Sequence, residues 1–301
     1  MTKSILVTGA TGTVGGHVAR ELVEADAATD ADVAVRAGVR SVDRARGSLP
    51  AAVEPVAFDF EKPETWGAAF EGVDALFLVR PPEMARVHRH VTPAVDAAER
   101  VGVEHAVFLS VLGAEKNPLL PHRRIERHLE EGGLSYAFLR ASFFMQNFSE
   151  VHRSDVAERD ELFVPAGDGE TSFVDARDVA AVGVEALVDP AHRNRAYDVT
   201  GPEALTYDEA AAVFSDALGR EIAYADPGLV EFLVSSVRRG VSPSFALAQA
   251  VIYTTARLGL AGRVSDDAER VLGRPPRSLS EFVRDHAAAF DPNVASGSKP
   301  R

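Results

Sequence analysis

The first fifteen residues limit the fold more than any other stretch. Ile5-Leu6-Val7 runs into Gly9-Ala10-Thr11-Gly12-Thr13-Val14-Gly15, after which apolar residues recur at Val14, Val18, Leu22 and Ala25. The opening run is that of a short buried strand, and the later spacing is that of one helix face. Each glycine has a job in such a turn: Gly9 permits the tight bend, Gly12 lets a ligand approach the backbone, and Gly15 allows helix and strand to pack closely. The N–H groups and dipole at the helix start suit a pyrophosphate, which makes Gly9, Thr11, Gly12, Thr13 and Val14 candidate dinucleotide-binding residues. A turn that merely joins strand to helix could carry the same glycines, and the pattern of the remaining chain decides between the two.

Downstream of the turn, strand and helix patterns alternate. Apolar, strand-like runs lie at 33–39, 53–60, 74–79 and 105–111, with a sixth beginning at 136, and helical patterns lie at 87–101 and 123–131. Apolar strands separated by helices predict a parallel sheet covered on both faces, and right-handed crossovers make it an α/β, doubly wound (Rossmann) sheet. Ligands of such sheets lie beyond the strand ends, here Thr8, Arg40, Phe60, Arg80 and Ser110. The second half predicts a helix from Asp175 to 187, a strand at 196–199, a capping box at Thr206-x-x-Glu209, and further helices to about 289. The expected organisation is a dinucleotide-binding domain over 1–150 with strands continuing to about 201. A smaller, mainly helical substrate lobe over 151–290 is interleaved with the sheet, and a disordered tail covers 291–301.

Composition excludes several classes. The 301 residues are 46% hydrophobic and 26% charged, enough for one large α/β domain or two intimate ones. No apolar run is long enough for a membrane span, and the N-terminus lacks a signal-peptide layout. The expectation is a cytoplasmic protein without a membrane partner. The absence of cysteine removes disulfides and thiolate chemistry. A net charge of −13, without an aromatic-interleaved basic patch, argues against a nucleic-acid partner. His88 and His90, like His105 and His122, lack metal-ligand spacing with carboxylates, so no metal is expected. Nothing indicates a homo-oligomer. Lysine occurs only at 3, 62, 116 and 299, so a lysine-dependent mechanism has few candidates.

The end of the second strand chooses between dinucleotides. A carboxylate there would hold the ribose of NAD, but the strand ends in Arg40, followed by Ser41 and Arg44. Arg40 can pair with a 2′-phosphate, which favours NADP(H) over NAD(H). A solvated surface arginine is the plainer alternative, and Asp43 points toward NAD. Asp59 and Phe60 are candidates for the adenine edge, and Val79 and Arg80 for the crevice beyond the fourth strand.

These residues, with Leu76-Phe77-Leu78-Val79-Arg80-Pro81, Val107-Phe108-Leu109-Ser110, Leu139-Arg140-Ala141-Ser142-Phe143-Phe144-Met145-Gln146-Asn147 and Phe173-Val174-Asp175-Ala176-Arg177-Asp178, resemble the NmrA-like group of atypical short-chain dehydrogenases along nearly the whole chain. The resemblance implies an NAD(P)H-dependent quinone or dye reductase. Its alternative is a redox-sensing regulator that binds the cofactor without turnover and acts through a protein partner. Typical short-chain dehydrogenases carry a Tyr-x-x-x-Lys pair after the fifth strand. Here that place reads His122-Arg123-Arg124-Ile125-Glu126, like the family's His-x-x-x-Glu variant. Ala141 stands where a proline is usual.

The resemblance places Ser110 beside the nicotinamide, against a plainer role in bonding the loop. His122 is a candidate proton donor, against a surface histidine at a helix start. Glu126 is expected to orient His122 or to pair with Arg123 or Arg127. Phe144 is a candidate aromatic wall for a small flat acceptor, against simple core packing. Asn147, polar in an apolar run, is a candidate substrate residue.

Overall fold

A computed structural model of the chain describes residues 2–29 and 32–292. It divides into two units, each assembled from three stretches. The first contains Met1–Ala141, Ala176–Val199 and Asp267–Arg274; the second contains Ser142–Asp175, Thr200–Asp266 and Pro275–Arg301. From residue 293 onward the expected tail lies outside the described residues.

The first unit is built on β1 (Lys3–Thr8), β2 (Val33–Val39), β3 (Glu54–Ala57), β4 (Ala75–Leu78), β5 (His105–Val111), β6 (Ser135–Ala141) and β7 (Arg195–Val199). Their order is β7-β6-β5-β4-β1-β2-β3, with every pair parallel. This is the doubly wound sheet that the alternation predicts. The order reverses between β1 and β4, which opens a crevice beyond their carboxyl ends.

The longer helices of this unit are α1 (Thr13–Thr29), α2 (Val87–Arg100), α3 (Pro121–Glu131) and α4 (Ala176–Val188). α1 packs on α4, and α2 on α3. Because the central strands are covered on both sides, their residues are apolar without alternation: Ile5, Leu6, Val7, Ala75 and Phe77 are all fully buried. One cluster joins Leu6, Leu76, Phe108 and Phe138 of the sheet to Val91 and Val95 of α2 and to Ile125 and Leu129 of α3. Each such side chain contributes roughly 2 kcal/mol by leaving water.

β3 is shorter than the expected 53–60. Phe58 and Phe60 leave the ladder to fill the core, their rings edge to face at 4.8 Å. Between them Asp59 makes a turn, accepting from the Glu61 amide at 3.0 Å, while the Trp66 indole donates to the Asp59 carbonyl at 2.8 Å.

The second unit includes α5 (Tyr207–Leu218), α6 (Leu229–Arg238) and α7 (Pro243–Arg257). Two short parallel ladders accompany them, Phe143–Phe144 with Phe173–Val174 and Glu161–Phe163 with Ala223–Ala225. Strands this short carry no readable period, so the sequence pattern predicts only the helices. The core is aromatic, with Phe148 in contact with Phe173, Tyr207 and Phe214. The capping box at the start of α5 forms as expected. The Thr206 hydroxyl accepts from the Glu209 amide at 3.2 Å, and the Glu209 carboxylate accepts from the Thr206 amide at 2.9 Å. Among the described residues, no helix is long and apolar enough to cross a membrane.

Candidate active site

The glycine turn sits at the β1–β4 reversal. Gly9 has φ +66°, which favours glycine, and a Cβ on it would press on the Val79 side chain at 3.2 Å. A Cβ on Gly15 would lie 2.4 Å from the Gly9 carbonyl oxygen, so Gly15 is what lets α1 start directly behind the turn. Gly12 is exposed, and its amide closes the turn onto the Gly9 carbonyl at 2.9 Å. Thr8, which carries no motif of its own, fastens the two central strands. Its hydroxyl donates to the Phe77 carbonyl at 3.0 Å and accepts from the Val79 amide at 2.8 Å. Thr11 is exposed, Thr13 half-buried and Val14 buried. The turn is therefore bare on its outer side and close-packed on its inner side, as a pyrophosphate cradle requires.

The other candidate cofactor residues differ in how far they are already engaged. Arg40 is exposed at the end of β2 and has no hydrogen bond or ion pair among the described residues. Arg36, on the same strand, is paired with Glu54 at 3.2 Å. Asp59 is half-buried and occupied with its own turn, and Phe60 is a core residue. Arg80 folds back on its loop, donating to the carbonyls of Pro81, Pro82 and Met84 at 2.7, 2.9 and 3.2 Å, while its buried Nε lacks a partner. A free arginine at the β2 end and an open glycine turn fit a phosphorylated dinucleotide.

β5 and β6 pair in parallel with Ser110 opposite Arg140, and both reach the fully buried Glu126 on α3. The Ser110 hydroxyl donates to Glu126 Oε1 at 2.7 Å. Arg140 adds a fork, Nε to Oε1 and Nη2 to Oε2, each at 3.0 Å. Arg123 donates to Oε2 at 3.1 Å. Four donors thus fill the acceptor sites of one carboxylate. The expected Arg123 pair is present. Arg127 pairs instead with Glu131, and the main partner is Arg140, which helical spacing does not indicate. Its signal in the sequence is a charge inside the apolar run Ala137-Phe138-Leu139-Arg140-Ala141.

Among the described residues, His122 makes no hydrogen bond with Glu126, whose partners are Ser110, Arg123 and Arg140. Its ring stacks on Phe108 with centroids 6.1 Å apart. Burial, and then the charge of Arg80, push its pKa down to about 4. The imidazole is therefore neutral at pH 7.

In the second unit, Phe143, Asn147, Val151, His152, Gln249 and Tyr253 line a cavity of about 140 Å³. Asn147 thus faces an open space, but the aromatic wall beside it is Phe143. Phe144, its neighbour on the short strand, is not among the lining residues, in keeping with the alternation of strand side chains. Gln146 is buried and donates to Asp175 at 2.8 Å. A larger concavity, of about 600 Å³, lies among the loops of Gly167, Asp168, Glu170, Asp226 and Arg257. One of its carboxylates, Asp226, is already engaged by the Gly167 amide at 3.0 Å and by Arg257 at 3.4 Å.

Known proteins give this arrangement a context. An NAD(P)H azoreductase of Xenophilus azovorans is 36% identical over 292 residues, covering 95% of this chain and 99% of its own. Quinone oxidoreductase 2 of Escherichia coli is 25% identical over 286 residues, covering 93% and 97%. The crystal structure of Citrobacter sp. triphenylmethane reductase complexed with NADP(H) superposes with a TM-score of 0.83 at 28% identity, covering 94% of this chain and 99% of that one. The NmrA-like family matches residues 1–282, and the chain belongs to that family.

Proposed function

We propose that this chain is an NADPH-dependent reductase that passes hydride to a small flat acceptor such as a quinone or a dye. Its NAD(P)H dependence is supported by family membership, by the azoreductase and quinone oxidoreductase relatives, and by the open glycine turn. NADP(H) is supported by Arg40, which is unpaired among the described residues, and by the NADP(H) complex of the triphenylmethane reductase.

The acceptor class rests on one observation. The two positions that carry Tyr and Lys in typical short-chain dehydrogenases hold a neutral imidazole and a carboxylate with four donors. Neither is a strong acid. The Ser110 hydroxyl has its one proton committed to Glu126, so it too can only accept. Bound NADPH supplies the hydride. The protein's residues then position the acceptor and keep water away, and the reduced acceptor leaves as an anion or takes its proton from solvent. A quinone tolerates this, because its reduced form is a stabilised phenolate. Ser110 and His122 are assigned to the neighbourhood of the transferring hydride, and Asn147 to acceptor contact.

Steady-state NADPH oxidation with a panel of quinones and dyes tests the reading. Turnover with at least one quinone is the expected result. Tight NADPH binding with no oxidation by any acceptor would overturn it and leave a cofactor-sensing regulator.

A further inference from the structure

α7 is apolar on every side. Its inner face puts Ala250, Tyr253 and Ala256 into the aromatic core. Its outer face carries Leu247 and Val251, with Leu258 at its end, and its one charged residue is the last, Arg257. α6 packs against it and repeats the pattern. Phe232 is buried, while Val230, Val234 and Val237, at i, i+4 and i+7, share the opposite face. These six outer side chains are between 44% and 75% exposed. A helix that is apolar all round is one that is covered all round, so these outer faces belong against another surface. Spacing in the sequence does not reveal this, because an apolar helix reads as a core helix until its burial is known.

The extent of the face fits a protein partner. With the other large apolar side chains of the two helices it amounts to on the order of 800 Å², more than the few hundred Å² that a monomer ordinarily shows. One partner's share of a standard interface is about 800 Å².

The charges on α6 point to which partner that is. Glu231 and Arg238 are its only charged residues; both are exposed, and neither has a partner among the described residues. Seven residues apart, they sit two turns from one another on the same flank of the valine strip. A twofold axis between Val234 and Ser235 would lay a second α6 antiparallel on the first and set Glu231 of each copy opposite Arg238 of the other. Exposed ion pairs add little affinity, but they fix orientation and register. A membrane is the poorer match. Helices that lie on bilayers carry a polar face rich in Lys and Arg, whereas α6 and α7 hold no lysine, and an anionic surface repels a chain of net charge −13.

We propose that this face joins two copies of the chain in an isologous dimer, with the valine strips of the two α6 helices packed antiparallel and the outer faces of α7 flanking them. The interface stands independently of the reductase reading.

Sedimentation velocity on the full chain tests it. The wild type should be a dimer in the micromolar range. Val234→Glu, at an exposed position beside the axis, should raise the dimer Kd roughly a hundredfold or more while the circular dichroism spectrum stays unchanged. Glu231→Arg and Arg238→Glu each set like charges opposite one another and should each raise it about tenfold. The double swap restores both pairs and should return the Kd to within about threefold of the wild type. A monomer throughout the micromolar range would overturn the proposal, and so would a dimer that Val234→Glu leaves intact. Single swaps without effect, or a double swap that restores nothing, would overturn the antiparallel pairing. A wild type that stays monomeric and co-sediments with phosphatidylserine–phosphatidylcholine vesicles would assign the face to a lipid surface instead.

Discussion

Ser110 on β5 donates its hydroxyl to Glu126 on α3, 2.7 Å away, and both side chains are shielded from water. The contact fixes the serine rotamer beside the crevice, but it takes four donors to make the buried carboxylate tolerable. A charge withdrawn from water is stable only when paired and hydrogen-bonded.

Glu126→Gln should therefore destabilise the protein strongly. It removes the charge opposite Arg140 and Arg123 and turns one acceptor into a donor that faces donors. Losing one partner of a buried pair costs on the order of 3 kcal/mol or more. Urea denaturation measures it. A loss below about 1 kcal/mol would mean that the cluster is solvated in practice.

Two glycines of the turn should fail in different ways. Gly15→Ala places a methyl group on the Gly9 carbonyl at 2.4 Å, so the turn itself must shift and the melting temperature should fall. Gly12→Val adds bulk on the exposed side and should abolish NADPH binding with the fold intact. Circular dichroism and calorimetry on both variants separate the two effects. Unchanged NADPH affinity in Gly12→Val would remove the turn from the cofactor site.

Features encoded within a few residues are legible in this chain, and features assembled across the sheet are not. Ile5-Leu6-Val7, the glycine turn and the run at 105–111 announce strand and turn locally. The capping box at Thr206 and Glu209 is equally local. The Glu126 cluster is not. Helical spacing suggests Arg123, Arg127 or His122 as partners, whereas Arg140 arrives through the register of β5 with β6. Likewise the apolar run at 53–60 puts Phe60 at a strand end, but the chain turns at Asp59 and sends the ring into the core. Gln249 carries no signal at all, because one amide on a helix acquires meaning only beside Asn147 and Phe143.

Arg40 should set cofactor preference. It is exposed at the end of β2 and unpaired among the described residues, so a 2′-phosphate would be its first strong partner. A charge-assisted contact of this kind is worth roughly 1.5–3 kcal/mol, or about ten- to a hundredfold in affinity. Arg40→Ala should weaken NADPH by that factor and NADH by less than about threefold. Equal losses for both cofactors would assign Arg40 to adenine stacking instead.

His122 supplies the sharpest check on the chemistry. An obligatory imidazolium acid would lose activity as pH rises through its pKa. Burial, and then Arg80, lower that pKa from the ordinary value to about 4, so the proton is gone well below pH 6. Turnover between pH 6 and 8 should therefore show no limb belonging to His122. Replacing it with Ala should cost roughly tenfold or less, because solvent protonates the product in place of a general acid whose full effect is about a hundredfold or more. The loss that does occur should come from the vacated face of Phe108. The measurement is kcat against pH for wild type and His122→Ala with NADPH and one quinone. A wild-type limb near pH 6.5 that disappears in the variant, with kcat down about a hundredfold, would make His122 an obligatory acid. Hydride transfer would then require a protein proton, and the acceptor would be a carbonyl-like group whose reduced form cannot leave as an anion.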